Sequence, residues 1–279
     1  MKKILVTGCN GQLGRAINNV YKNDDAELIN TDVGELDITS VEAVGAFVED
    51  KRPDVIINCA AYTNVNACES EEELAYRINA IGPRNLAIAA KKTGAKLIHV
   101  STDYVFDGSA VKPYTEFDKT APLGAYGRTK YAGEELVKQF ADKFFIVRTA
   151  WLYGEGKNFV KTMLELGRKN GEVSVVHDQV GSPTSAMELA RMIKYLEPTE
   201  NYGTFHGTCE GSCSWAEFTE KIFEYSGVDA RVKRIRTDEY PTPAKRPAYS
   251  VLDNCMLRLT TDYSFANWED ALKEYLQNK

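Results

Sequence analysis

The amino-acid sequence predicts an α/β fold: a doubly wound parallel sheet with a smaller C-terminal α/β domain folded against it. Three observations carry this. Strand-like apolar runs alternate with segments of helical period through the first 150 residues. Several of the strands are almost uniformly apolar, as in Val55-Ile56-Ile57-Asn58 and Leu97-Ile98-His99-Val100, which is expected where helices cover both faces of a sheet. The first strand runs directly into Gly8-Cys9-Asn10-Gly11-Gln12-Leu13-Gly14, within which a helix opens.

In order along the chain, strands are expected at 3–7, 27–31, 55–59, 96–101 and 144–148. Helices are expected at 13–22, 40–51, 71–93 with a break near Gly82-Pro83, and 126–141. The second half is less regular, with helices at 159–169, 186–196, 215–226 and 268–277 and short strands at 173–176 and 231–235. Residues 1–150 then form a dinucleotide-binding (Rossmann) domain. Residues 151–279 form mainly a substrate-binding domain, with 173–196 expected to pack back on the first, and a cleft between the two is the expected ligand site.

Composition removes several function classes. The 279 residues are 43% hydrophobic and 27% charged, an ordinary globular balance. The longest apolar runs are of strand length, far short of the roughly 20 residues that cross a bilayer. Met1-Lys2-Lys3 is followed by too few apolar residues for a secretory signal, so a cytoplasmic location is expected. A net charge of -6 and a pI near 5.3 speak against a nucleic-acid partner. The six cysteines are scattered through a chain too large to need disulfides, and free thiols are expected. His206, Cys209 and Cys213 lack a fourth ligand, so no metal site is expected. His99, His177 and His206 have no evident partner and read as structural. From Arg231 to Arg246 there are six basic residues against two acidic ones, a +4 segment that offers a docking face to an anionic small molecule.

The glycine spacing has a physical purpose. It permits a tight turn, brings backbone N–H groups close to a pyrophosphate and places that anion at a helix N-terminus. Asp32 lies 18 residues after Gly14 and beyond the second strand, where a carboxylate accepts hydrogen bonds from an adenosine ribose and repels a 2′-phosphate. This favours NADH, with NADPH possible. Asp37-Ile38 has the form of an adenine contact, an acceptor for the exocyclic amine beside an apolar surface for the ring. Asn58-Cys59-Ala60-Ala61 ends the third strand with small side chains, which leave room for a cofactor across the strand ends.

Tyr126-Gly-Arg-Thr-Lys130 sets a phenol and an ammonium one helical turn apart. A free tyrosine has a pKa near 10, and proton transfer near neutrality needs it lowered by roughly 3 units, or about 4 kcal/mol, which a neighbouring lysine charge helps supply. Ser101-Thr102-Asp103 follows the fourth strand at the same sheet edge, where a hydroxyl can hydrogen-bond a substrate carbonyl.

Through Gly8–Gly14, Asn58–Ala61, Ser101–Thr102 and Tyr126–Lys130 the chain resembles the extended short-chain dehydrogenase/reductase superfamily. Ser101-Thr102-Asp103-Tyr104-Val105-Phe106-Asp107-Gly108, Arg148-Thr149-Ala150-Trp151-Leu152-Tyr153-Gly154, Asp178-Gln179-Val180-Gly181-Ser182-Pro183-Thr184 and Arg246-Pro247 look like the dTDP-4-dehydrorhamnose reductases. That resemblance implies the last step of dTDP-L-rhamnose formation, hydride delivery from NADH or NADPH to C4 of a 4-keto-6-deoxy sugar nucleotide. By the match, Tyr126 donates the proton, Lys130 tunes Tyr126 and holds the nicotinamide ribose, and Thr102 polarises the ketone. Asp103 and Trp151 fall on positions that contact the sugar. Gly11, Gln12, Leu13, Asp37, Ile38, Ala61, Tyr62 and Thr63 match cofactor contacts, with Gly8, Asn10, Gly14, Asp32 and Ala60 beside them; Leu13 and Tyr62 lie where members vary. Arg246 is the candidate for the diphosphate, since guanidinium binds phosphate oxygens bidentately. The expected assembly is a monomer or homodimer.

Three alternatives share these motifs. A dehydratase of the superfamily typically carries a second acid where this chain has Tyr104. An epimerase shares the loop and the Tyr–Lys pair, and the motifs around Trp151 and Asp178 favour a reductase over it. A non-catalytic nucleotide-binding subunit, similar to the beta subunit of methionine adenosyltransferase, has no need of Thr102, Tyr126 and Lys130 together.

Overall fold

A computed structural model describes residues 1–277. Six parallel strands form the central sheet: β1 (Lys2–Thr7), β2 (Ala26–Thr31), β3 (Val55–Asn58), β4 (Lys96–Thr102), β5 (Phe144–Thr149) and, much later in the chain, Gly203–His206. Their spatial order places Gly203–His206 at one edge, followed by β5, β4, β3, β1 and β2. β1 lies between β2 and β3, so the winding reverses beside it. The crevice outside the carboxyl ends of strands at such a reversal is where open α/β sheets bind ligands.

The uniform strands are explained by alternation between two covered faces. Ile4, Val6, Ile57 and Ile98 point into one core with Leu13 and Ile17 of α1 (Gln12–Val20), while Leu5, Ile56, Leu97 and Ile146 point into the other. The second core is closed by α2 (Val41–Lys51), α3 (Gly82–Thr93) and α4 (Ala125–Phe140) through Val44, Val48, Leu86 and Val137. Each such fully buried aliphatic side chain is worth about 1.5–3 kcal/mol relative to exposure. Local signals agree with the packing: Ser40 caps α2 by accepting from Ala43 N at 3.1 Å.

The segment before α3 differs from expectation. The chain does not break at Gly82-Pro83; it continues from the helix Glu72–Tyr76 through a π turn, Arg77–Ile81, into α3. Pro83 follows the π turn directly, so its missing N–H falls at the irregularity and not inside regular helix.

The second half contributes α5 (Phe159–Asn170), β6 (Glu172–Val176), α6 (Ala186–Leu196), β7 (the edge strand Gly203–His206), α7 (Trp215–Ser226), β8 (Arg231–Ile235) and α8 (Trp268–Gln277). β6 and β8 form a separate parallel pair. α6 packs on α1, and Lys194 of α6 donates to Val20 O at 2.7 Å. Part of the basic segment is neutralised: Arg234 pairs with Glu220 at 2.8 Å, and Arg231 and Arg236 lie 3.8 Å from Glu172 and Asp238. Two histidines also have partners after all, His99 Nδ1 on Asn58 Nδ2 and His206 Nδ1 on the Asp253 carbonyl, both at 3.0 Å. No helix among the described residues is long and apolar enough to cross a membrane.

Candidate active site

A cleft of about 920 Å³ runs along the carboxyl edge of the sheet. It gathers Gly8, Gly11, Gln12, Leu13, Gly14, Asp32, Asp37, Ile38, Ala60, Ala61, Thr63, Thr102, Asp103, Tyr126, Lys130, Trp151 and Arg246. Two residues expected there do not line it. Asn10 is exposed and meets Asp32 through its backbone N–H, and the hydroxyl of Tyr62 is drawn away to Glu71 while its backbone is latched by Asn79.

The loop after β1 is tight for a steric reason. Gly8 has φ +63, and a Cβ there would lie 2.8 Å from the backbone of Ala60 at the end of β3. A Cβ on Gly14 would lie 2.4 Å from Gly8 O. The backbone, not side chains, therefore forms the floor of the cleft at the N-terminus of α1, a fit for a pyrophosphate. The buried Gln12 Oε1 and Ser101 Oγ, both on the cleft wall, have no hydrogen-bond partner among the described residues. Such orphaned polar atoms fit a site built to receive a polar ligand. Asp32 accepts from Asn10 N at 3.2 Å and Val33 N at 2.8 Å. Asp37 is exposed at the rim, accepting from Thr39 N at 2.9 Å, and Ile38 is buried against Gly82.

Strand β4 and helix α4 bring the reactive groups together. Lys130 is only 2% exposed and donates to the carbonyl of Val100 at 2.7 Å. Burial pulls its ammonium down to about 8, opposed by the negative charge of Glu134 one turn further along. Glu134 itself forms a buried bidentate pair with Arg148, at 2.9 and 2.7 Å. Tyr126 stacks edge-on against Tyr104, centroids 5.4 Å apart. Burial pushes its phenol up rather than down, and the opposing influence is a hydrogen bond with Thr102. The sequence reading gave the lowering role to Lys130, whose charge is instead directed at Val100. A phenol held protonated at neutrality is the form needed by a proton donor.

Thr102 donates to Asp103 Oδ1 at 2.9 Å. Burial pushes the Asp103 carboxyl up to about 6, opposed by the neighbouring Ser250 and Thr102 hydroxyls. Arg246 reaches the cleft from the C-terminal segment, with its buried Nε unpaired among the described residues. Trp151 takes φ +48, a left-handed conformation that costs a non-glycine residue about 1–2 kcal/mol. Gly181 makes room for it, since a Cβ there would lie 2.4 Å from the indole. Thr149 and Leu152 of the Arg148–Gly154 motif also line the cleft, as do Asn158, Phe159 and Trp215, to which no motif pointed. Trp215 had one signal, its place at the start of a helix directly after the capping Ser214.

Comparison with known proteins agrees with this geometry. The family described as RmlD substrate binding domain matches residues 1–279. A dTDP-4-dehydrorhamnose reductase of Clostridium acetobutylicum has a structure superposing with a TM-score of 0.97, at 55% identity over 99% of both chains. The Bacillus anthracis dTDP-4-dehydrorhamnose reductase, solved in complex with NADP, gives 0.98 at 46% identity over 100% of both chains. A dTDP-4-dehydrorhamnose reductase of Aggregatibacter actinomycetemcomitans is 39% identical over 98% of each chain. The chain belongs to the RmlD substrate-binding-domain family, among the dTDP-4-dehydrorhamnose reductases.

Proposed function

We propose that this protein reduces the C4 ketone of dTDP-4-dehydro-L-rhamnose to dTDP-L-rhamnose, using a nicotinamide dinucleotide, as the last step of dTDP-rhamnose formation. The observation that carries this reading is the convergence of Thr102, Tyr126 and Lys130 on one cleft beside the Gly8–Gly14 loop. Residues 1–150 hold the cofactor on this reading, and 151–279 mainly the sugar nucleotide.

Gly8, Gly11, Gln12, Leu13 and Gly14 hold the pyrophosphate at the start of α1, Asp32 the adenosine ribose, and Asp37 and Ile38 the adenine. Ala60, Ala61 and Thr63 border the same channel. When bound, the nicotinamide supplies the hydride that the ketone carbon accepts. Thr102 turns its single hydroxyl proton from Asp103 Oδ1 to the ketone oxygen, and Tyr126 gives its phenolic proton to that oxygen as charge develops on it. Lys130 steadies the phenolate left behind and holds the nicotinamide ribose. Asp103 and Trp151 orient the sugar, and Arg246 takes the diphosphate.

Asp32 on its own argued for NADH. Its charge is already met by two backbone N–H groups, and the Bacillus anthracis relative is in complex with NADP, so we place NADPH ahead of NADH. The test is loss of reduced-cofactor absorbance with freshly generated dTDP-4-dehydro-L-rhamnose and each cofactor. Turnover, faster with NADPH, is the expected result. Tight cofactor binding without turnover would overturn the reading in favour of a non-catalytic nucleotide-binding subunit.

A further inference from the structure

Trp151 and Trp215 stack face to face, ring centroids 3.5 Å apart and planes 7° apart, in the wall of the cleft. Both are half-buried, backed by the hydrophobic core and facing the cleft, so the pair is a surface of the site. Trp151 is one of two non-glycine residues among those described with positive φ. The other, Arg52, ends α2 in the left-handed conformation common at helix ends. Trp151 has no such terminal role, and strain of this kind persists where the surroundings over-determine it.

The surroundings are identifiable. On one side is Gly181, with no Cβ to obstruct the indole. On the other is Trp215, which is itself braced. It is the first residue of α7, behind a capping box in which Ser214 Oγ accepts from Glu217 N at 3.2 Å and Ser214 N donates to Glu217 Oε2 at 2.7 Å. Phe159, opening α5, packs against it with centroids 4.4 Å apart. One indole is thus fixed by two helix N-termini, and the other is strained and leans on it.

We infer that Trp215 is a positioning residue for the sugar-nucleotide side of the reaction, acting by holding Trp151 as a rigid aromatic wall. This rests on the dTDP-sugar reading of the same cleft. A wall fixed before the substrate arrives orients the sugar without ordering an indole at the moment of binding, and its loss weakens sugar binding while leaving the dinucleotide channel intact.

The experiment measures Trp215→Ala, Trp215→Phe, Gly181→Ala and the Trp215→Ala/Gly181→Ala double variant beside the wild type. Readouts are KM and kcat for dTDP-4-dehydro-L-rhamnose, NADPH affinity by cofactor fluorescence, and quenching of tryptophan emission by dTDP-glucose. Trp215→Ala is expected to raise KM about tenfold or more, with NADPH affinity unchanged, and Trp215→Phe to recover most of the loss. Gly181→Ala is expected to raise KM too, and the double variant to be less than additive, because both act through Trp151. A Trp215→Ala enzyme with wild-type KM, or one that loses NADPH affinity in parallel, overturns the proposal alone. A wild type that neither turns over the ketosugar nor is quenched by dTDP-glucose overturns the functional reading beneath it as well.

Discussion

Lys130 reaches from α4 to the end of β4 and donates to the carbonyl of Val100 at 2.7 Å. That bond fixes the ammonium at the cleft wall, one turn from Tyr126 along the helix and two residues from Thr102 along the strand. An ammonium has three N–H donors. One is committed to the protein, and the remaining two are available to a ribose in the cleft. The helix is thereby registered against the sheet edge by the same side chain that serves the chemistry.

Tyr126→Phe keeps the ring packed edge-on against Tyr104 and removes the proton donor. We expect kcat to fall by about 10²–10⁴-fold, the usual worth of a positioned general acid, with cofactor affinity little changed. Cofactor oxidation and cofactor fluorescence measure the two quantities separately. A variant retaining near-normal kcat would remove Tyr126 from the donor role.

Lys130 sets an alkaline limit. Burial holds its pKa down to about 8, so the charged form dominates below that pH and is lost above it. The charge is needed to hold the ribose and to steady a developing phenolate, hence kcat/KM of the free enzyme should be sustained below about pH 8 and decline above it. A profile flat to about pH 10 would show that the charge of Lys130 is not required.

Much of the frame was legible because parallel strands buried on both faces carry continuous apolar runs, and the strands from β1 to β5 were bounded to within a residue or two. β7 was not, because Gly203-Thr204-Phe205-His206 has a single strongly apolar residue and becomes a strand by pairing with the edge of β5. Gly82-Pro83 marked the irregularity but not its form: the chain passes it by a π turn over Arg77–Ile81, packed against α4, and the helix does not end there. In the site, the glycine loop and the Tyr126–Lys130 pair were readable since their chemistry is local. Trp215 and the Glu134–Arg148 pair were not, because each gains its meaning from a partner distant in sequence. The basic segment was legible in part: Glu220 and Glu172 meet Arg234 and Arg231 from other elements, while Arg246 lines the cleft.

Glu134→Gln should cost far more than a surface ion pair. Both carboxylate oxygens serve Arg148, whose side chain is 3% exposed and would be left charged without its counter-ion. Breaking such a buried pair from one side typically costs about 3–5 kcal/mol, whereas replacing both partners by apolar groups of similar volume is often nearly neutral. Urea unfolding of Glu134→Gln beside Glu134→Leu/Arg148→Met measures the difference. Equal stabilities for the two would mean that the guanidinium finds another acceptor.

Asp103→Asn trades in the other direction. The Asp103 carboxyl is 2% exposed, and burial raises its pKa from 3.8 to about 6. A carboxyl with a higher pKa folded than unfolded binds its proton more tightly in the fold. Folding therefore gains stability as pH falls from about 6 toward 4, and carries the full penalty above 6, about 3 kcal/mol at most. Asparagine keeps an acceptor for the Thr102 hydroxyl and has no charge to desolvate. The variant should be more stable than the wild type at neutral pH, with the advantage shrinking to nothing near pH 4, while its KM for the sugar nucleotide rises. Thermal or urea unfolding of both proteins across that range checks the sign: an advantage independent of pH would mean that the buried carboxylate is not what burdens the wild-type fold, and that Asp103 is held ionised by groups beyond Thr102 and Ser250.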